Sequence, residues 1–197
     1  GAPLKARWSI LHNPIDTDKF APSGKPPESE VLRLLVMGSH RHLERLVLPI
    51  EVIKLLKQKN MKTELTIAGG IAPSLAPAVS QMATEVGNVK MTGPYLQADA
   101  PAIYKGHHVL IHLQDKDASP TVPLEAMACG LQVVSIKSGG LPELVSSEGG
   151  ELLAVEQGCG FVVVCGDVFE TNHVPRQVVV RALEAMAATP SVTFYLL

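Results

Sequence analysis

The sequence predicts one doubly wound α/β domain, a parallel sheet with helices on both faces. Short apolar runs recur between segments of helical spacing, and these runs lack the in–out alternation of a sheet with one wet face. Hydrophobic residues make up 46% of the 197 and charged residues 18%, below the ~25% charge of an average domain, so a generous core is available and disorder is not expected. The whole chain, 1–197, reads as a single unit: a lead-in strand and loop to residue 30, an α/β core over 31–190 and a tail over 191–197.

The elements follow in order. WSILHNPID is a short strand-like piece ending in a turn, and Ala21–Glu30 is a Pro-, Gly- and Ser-rich surface loop. Val31–Gly38 is a buried strand stopped by glycine. From Leu46 to Lys59 the apolar residues Leu46, Ile50, Ile53 and Leu56 fall at helical spacing. Pro49 places the start of that helix just before it, since proline is tolerated in a first turn and not deeper. KTELTIAGG is a second strand, Ala76–Val86 a helix, GNVKMTG a third strand, Asp99–Lys105 a short helix and His108–Leu113 a fourth strand. PTVPLEAMAC is a helix closed by Gly130, LQVVSI a fifth strand, GGLPELVSS the start of another helix and GFVVVCG a sixth strand. An amphipathic helix over Val174–Ala188 completes the pattern.

Composition narrows the function. Seventeen Lys and Arg against nineteen Asp and Glu give a net charge of −2, which offers no reason to expect nucleic-acid binding. The charge is uneven: residues 1–60 carry 10 basic and 6 acidic groups, and residues 61–197 carry 7 and 13. Cys129, Cys159 and Cys165 are odd in number and lack zinc spacing, which fits a reducing compartment; a cytoplasmic location is the expectation. No apolar run is long enough to span a membrane, and the first residues lack the pattern of a signal peptide. The chain opens on Gly, so a processed protein or a piece of a longer one is expected.

In a doubly wound sheet, ligands bind beyond the carboxyl ends of the strands. The first strand ends in GSHRH, neither a dinucleotide fingerprint nor a Walker loop, and Gly69-Gly70 is too short for either. No G-x-S-x-G elbow occurs. His12, His40, His42, His107, His108, His112 and His173 have no carboxylate or cysteine at matching spacing, so neither a metal nor a cofactor is expected.

The richest segment is HLQDKDASPTVPLEAMACGLQVVSIKSGGLPELV. Ser119 is a good N-cap and Pro120 a good first helical residue, leaving the amides of Thr121 and Val122 free at the positive end of a helix dipole. That is an anion site suited to phosphate. Glu125, one turn in, needs hydrogen-bond donors if it is dry, and two ribose hydroxyls match it. Asp117 precedes the helix, where its carboxylate could accept from sugar hydroxyls. The plainer alternatives are a dipole-complementing charge for Asp117 and a partly exposed helix residue for Glu125.

This segment resembles the donor-binding motif of retaining glycosyltransferases of family four, which have the GT-B fold. Their pattern is an acidic residue, seven residues, a Glu in an "EAMACG" helix, a strand and a "GG-x-PE" loop; Asp117 and Glu125 occupy the acidic positions. HNPIDTDKF is similar to the family's "NGVD…F" segment, LTIAGG to its second strand and KMTGPY to its "FLGPY" strand, so the likeness covers about Ile10 to Leu153. The resemblance implies the carboxyl-terminal half of a GT-B enzyme, binding a nucleotide-diphospho-sugar without a metal. It places the diphosphate at Ser119, Pro120, Thr121 and Val122, the ribose on Glu125, the transferred sugar near the catalytic Asp117, and the base near Gly93, Pro94 and Tyr95. The loop Ser138–Glu143 would close the crevice; Glu143 is equally explained as a dipole-favoured charge in a first helical turn.

Two departures stand out. Ser39 and Glu44 fall where the family usually has Arg and Lys; Arg41 and Arg45 lie in the same segment and could grip the phosphates, or simply form a solvated helix start. Asp117 stands where Glu is commoner. The resemblance also implies a partner, an amino-terminal GT-B domain in cis or in trans, through which peripheral membrane contact could come. This chain alone is expected to bind nucleotide sugar weakly and to transfer no hexose. The apolar VTFYLL tail is expected to cross to that domain. The alternatives are a non-catalytic or two-chain pairing module, and a nucleotide-sugar epimerase, for which no motif is present.

Overall fold

The structure is a computed structural model that describes residues 11, 13–22, 30–114, 117–136, 140–144 and 161–164. Along the chain run β1 (Leu32–Met37), α1 (Glu44–Gln58), β2 (Thr63–Ala68), α2 (Ala76–Val86), β3 (Val89–Gly93), α3 (Ala100–Lys105), β4 (Val109–His112), α4 (Thr121–Ala128), β5 (Gln132–Ile136), α5 (Leu141–Leu144) and β6 (Phe161–Val164). The strands form one sheet in the order β3-β2-β1-β4-β5-β6.

Alternate residues of each strand point to opposite faces, and both faces are covered. From β1, Leu34 and Val36 join Ile50, Ile53 and Leu56 of α1 and Val79 of α2 in one core cluster. Leu35 and Met37 face the other way, onto Ala100 and Tyr104 of α3 and Ala126 of α4. A strand buried on both sides must be apolar at successive positions, which is why these runs show no alternation. The α/β class and the doubly wound parallel sheet read from the sequence are the architecture found: β1 pairs in parallel with β2 and β4, β2 with β3, and β4 with β5.

Three details differ from expectation. β6 pairs antiparallel with β5; it lies at the end of the sheet, where doubly wound folds commonly accept a reversed strand. α1 begins at Glu44, so Pro49 sits beyond the first turn. Proline there has no N–H for the Arg45 carbonyl, yet the buried Leu46, Ile50, Ile53 and Leu56 hold the helix against the sheet. α4 begins at Thr121 with Pro120, not Ser119, in the cap position. The expected helix over 174–188, the tail, Cys159, Cys165, His12 and His173 lie outside the described residues.

Candidate functional site

The sheet reverses its winding between β1 and β4, and ligands of such sheets bind at the carboxyl edge of that switch. Two glycines bring the strand tips together there. Gly38 N donates to Ala68 O at 3.0 Å and Gly69 N to Gly93 O at 2.9 Å. Gly69 has φ +119°, and a Cβ on it would fall 1.7 Å from Gly38 O. Only glycine fits this approach, and the floor of the crevice is bare backbone. Beyond it, buried His40 continues the pairing through its own N to Gly70 O at 2.9 Å. Its Nε2 lies 3.1 Å from the Ala68 carbonyl, which only accepts, so Nε2 carries the proton. Burial pushes its pKa down. His42, by contrast, is exposed, and the described residues hold no group of three or more His, Cys, Asp or Glu that could bind a metal.

α4 presents its amino end to this edge. Pro120 is extended, with φ −68° and ψ 118°, and no side chain caps the helix. Pro120 and Pro123 have no N–H, so Thr121 and Val122 hold the free donors of the first turn. Ser119 is engaged elsewhere: its Oγ accepts from Asn13 N at 3.1 Å, and its carbonyl accepts from Asn13 Nδ2 at 3.0 Å. That pairing displaces the hydroxyl from the capping role expected of it. Asp117 Oδ1 accepts from Ser119 N at 3.2 Å, shaping the turn into the helix. The Asp117 carbonyl accepts from Gly140 N at 2.9 Å, and a Cβ on Gly140 would fall 2.0 Å from Ala118 O. Gly140, just ahead of α5, therefore lies directly on the backbone that leads into α4, while 138–139 of the expected closing loop lie outside the described residues.

Glu125 is half-buried and accepts a hydrogen bond at each oxygen. Tyr104 OH donates to Oε2 at 2.9 Å, and Gln97 Nε2 donates to Oε1 at 3.3 Å. Tyr104 is completely buried, its ring edge-to-face with Phe20 at 6.1 Å between centroids. Burial, then the nearby Glu125 charge, holds the Tyr104 hydroxyl protonated far above its ordinary range, so it acts purely as a donor. The same two causes raise Tyr95. Tyr95 packs against the cluster containing Tyr104, and Pro94 lies beside Gly70. Gly93, Pro94 and Tyr95 thus stand at the Glu125 end of the crevice.

The other end is built on His112, the last residue of β4. It is 7% exposed, and its Nε2 has no hydrogen-bond partner among the described residues. A buried, unpaired polar atom costs about 1–3 kcal/mol. Burial depresses its pKa to about 4, the Asp117 charge opposing this and the Arg45 charge adding to it. Arg45, near the start of α1, and Asp117 are therefore both within electrostatic reach of one ring. Arg41 is exposed and makes no ion pair among the described residues.

The residues singled out in the sequence accordingly fall into two groups along one edge: Gly93, Pro94, Tyr95 and Glu125 at one end, Arg45, Asp117 and Ser119 at the other, with Thr121 and Val122 on the helix between them. Arg41 lies out in solvent. Sequence reasoning missed Tyr104, Gln97, Asn13 and His112 as members. Asn13 had a signal in the HNPID segment; the others had none in spacing.

The model of the family "Glycosyl transferases group 1" matches residues 31–170. The phosphatidylinositol N-acetylglucosaminyltransferase gpi3 subunit of Schizosaccharomyces pombe is 27% identical over 144 residues, 72% of this chain and 31% of that protein. The chain thus spans about a third of that relative's length. Among solved structures, the C-terminal domain of the group 1 glycosyl transferase LpcC from Francisella tularensis superposes with a TM-score of 0.56 at 17% identity, over 70% of this chain and 77% of that one. Anabaena HepE, solved in complex with UDP and glucose, gives 0.57 at 19% identity, over 76% of this chain and 43% of that one. The two solved structures share the fold, and the chain belongs to the glycosyl transferases group 1 family.

Proposed function

We propose that this chain is the donor-binding half of a metal-independent, retaining hexosyltransferase and that its carboxyl-edge crevice takes a nucleotide-diphospho-sugar. The observation that carries this reading is the arrangement around α4: free Thr121 and Val122 amides at the helix mouth, with Glu125 at one end and Asp117 at the other. The diphosphate sits on the Ser119–Val122 backbone, where the helix dipole and Arg45 offset its charge without a metal. Arg41 swings in from solvent to the outer phosphate. Glu125, held by Tyr104, turns Oε1 to the ribose hydroxyls, with Gln97 yielding its long hydrogen bond. The base lies on Gly93–Tyr95 and the transferred sugar beside Asp117. A hexose or N-acetylhexosamine donor is favoured by the N-acetylglucosaminyltransferase activity named for the Schizosaccharomyces pombe relative and by the UDP and glucose in the HepE structure.

Chemistry needs a second wall. The chain matches a minority of the relative's length, and transfer requires an acceptor held in line and water kept out. An amino-terminal domain, in cis or in trans, supplies both. The chain alone binds the donor and transfers nothing. Thermal-shift measurements with UDP, GDP, ADP and CMP test binding, since a ligand selective for the folded state raises the melting temperature. One or two nucleotides should stabilise the protein; none doing so contradicts the reading, and turnover by the isolated chain contradicts the requirement for a second domain.

A further inference from the structure

Three described side chains keep buried polar atoms without a hydrogen-bond partner: Thr63, Gln132 and His112. Thr63 and Gln132 begin β2 and β5, at the amino edge of the sheet, away from the crevice. His112 ends β4, beside the winding switch, and precedes Asp117 and α4 in the chain.

We propose that His112 Nε2 is a ligand for an anionic oxygen of the donor's diphosphate, a contact additional to the helix mouth and the arginines. This rests on the donor-site reading above. A buried nitrogen without a partner, on the last residue of a strand at the sheet's carboxyl edge, is satisfied when a ligand that parts the covering side chains brings an acceptor to it. The positively charged Arg45 and the negatively charged Asp117 are the charged groups that act on the ring. Arg45 favours an anion beside the ring and Asp117 opposes one, so the contact suits a single phosphate oxygen next to the guanidinium. Neutral His112 in its Nε2–H tautomer donates without adding charge, which suits a site already flanked by a guanidinium and a helix dipole. The strand fixes the ring's place: His112 pairs in register with Ser135, whose hydroxyl donates to the His112 carbonyl at 2.7 Å.

The test uses the 197-residue chain and whichever of UDP, GDP or ADP binds most tightly, with the matching phosphate-free nucleoside as control. His112→Leu should weaken the diphosphate by about tenfold, the loss expected when a hydrogen bond to a charged group is removed, and leave the nucleoside unchanged. His112→Gln, which carries a donor at a similar reach, should recover affinity to within about threefold of the wild type. In the unmutated protein, the His112 Nε2 proton should become protected from exchange when the diphosphate is added, a readout that holds even if the leucine variant fails to fold. Equal diphosphate affinity in a folded His112→Leu protein, a proportional loss for the nucleoside, or an unprotected Nε2 proton in the saturated complex overturns the proposal. If no nucleoside diphosphate binds the wild type, the donor site itself is refuted, and this contact with it.

Discussion

The Tyr104 hydroxyl donates to Glu125 Oε2 at 2.9 Å from a side chain that is wholly buried beneath the crevice. A carboxylate half out of water is thereby pinned from below, with its second oxygen turned toward Gln97. Tyr104→Phe removes the pin and leaves the carboxylate free to rotate. We expect a stability loss of about 1.5–3 kcal/mol, typical of a hydrogen bond to a charged group. Nucleotide affinity should fall about threefold to tenfold as the carboxylate loses its orientation. Urea unfolding and calorimetric titration measure the two; unchanged affinity would mean that Tyr104 serves packing alone.

Gly140→Ala sets a methyl group against Ala118 O, 2.0 Å away. The backbone leading into α4 must shift, and Asp117 with it. A stability loss of about 1–3 kcal/mol is expected from the overpacking, together with a smaller nucleotide-induced thermal shift. A variant with full stability would show that the two segments part at little cost.

Asn13 and Ser119 form two hydrogen bonds across 106 residues of sequence. They fasten the segment before β1 to the turn before α4. Asn13→Ala removes the Nδ2 donor to the Ser119 carbonyl, and Ser119→Ala removes the acceptor of the Asn13 N–H. Each should cost about 0.5–1.5 kcal/mol in urea unfolding, and the two losses should add, because each bond ends on the other residue's backbone. Unchanged stability in both variants would mean that the contact contributes nothing in solution.

Acid should destabilise the fold through its buried imidazoles. Unfolded, His112 titrates near 6.5; folded, it stays neutral to about 4. The stability it preserves is complete above pH ~6.5 and is lost as the pH falls toward ~4, up to about 3 kcal/mol for this one site. His40 and His107 shift in the same direction, each chiefly through burial. Urea midpoints measured from pH 7.5 to 4.5 should fall, and His112→Gln should flatten the curve. An identical slope in that variant would assign the loss to other groups.

Much of the architecture is legible from residue patterns because burial on both faces forces apolar runs such as Leu32–Met37 and Val109–His112. The helix starts were read less well. Pro49 by itself marks a helix start just before it, whereas the helix begins at Glu44 and the buried Leu46 and Ile50 on either side of Pro49 hold it through. Ser119 is a helix cap by local preference alone, but Asn13, far away in sequence, donates its N–H to the hydroxyl. Asp117 and Glu125 could be singled out because their meaning lies in spacing along one segment. Tyr104, Gln97 and His112 could not, because their place depends on how α3 lies on α4 and where β4 ends, which are facts of packing with no local signature.

The most direct measurement concerns what Glu125 holds. The affinity of the best-binding nucleoside diphosphate should be compared with that of its 2′,3′-dideoxy form, in the wild type and in Glu125→Ala. The wild type should favour the ribonucleotide by about tenfold or more, as two hydrogen bonds to a carboxylate require, and Glu125→Ala should bind both forms equally weakly while keeping its fold. A wild type indifferent to the hydroxyls, or a Glu125→Ala protein that still prefers them, would contradict the placement of the ribose and with it the orientation of the donor along the crevice.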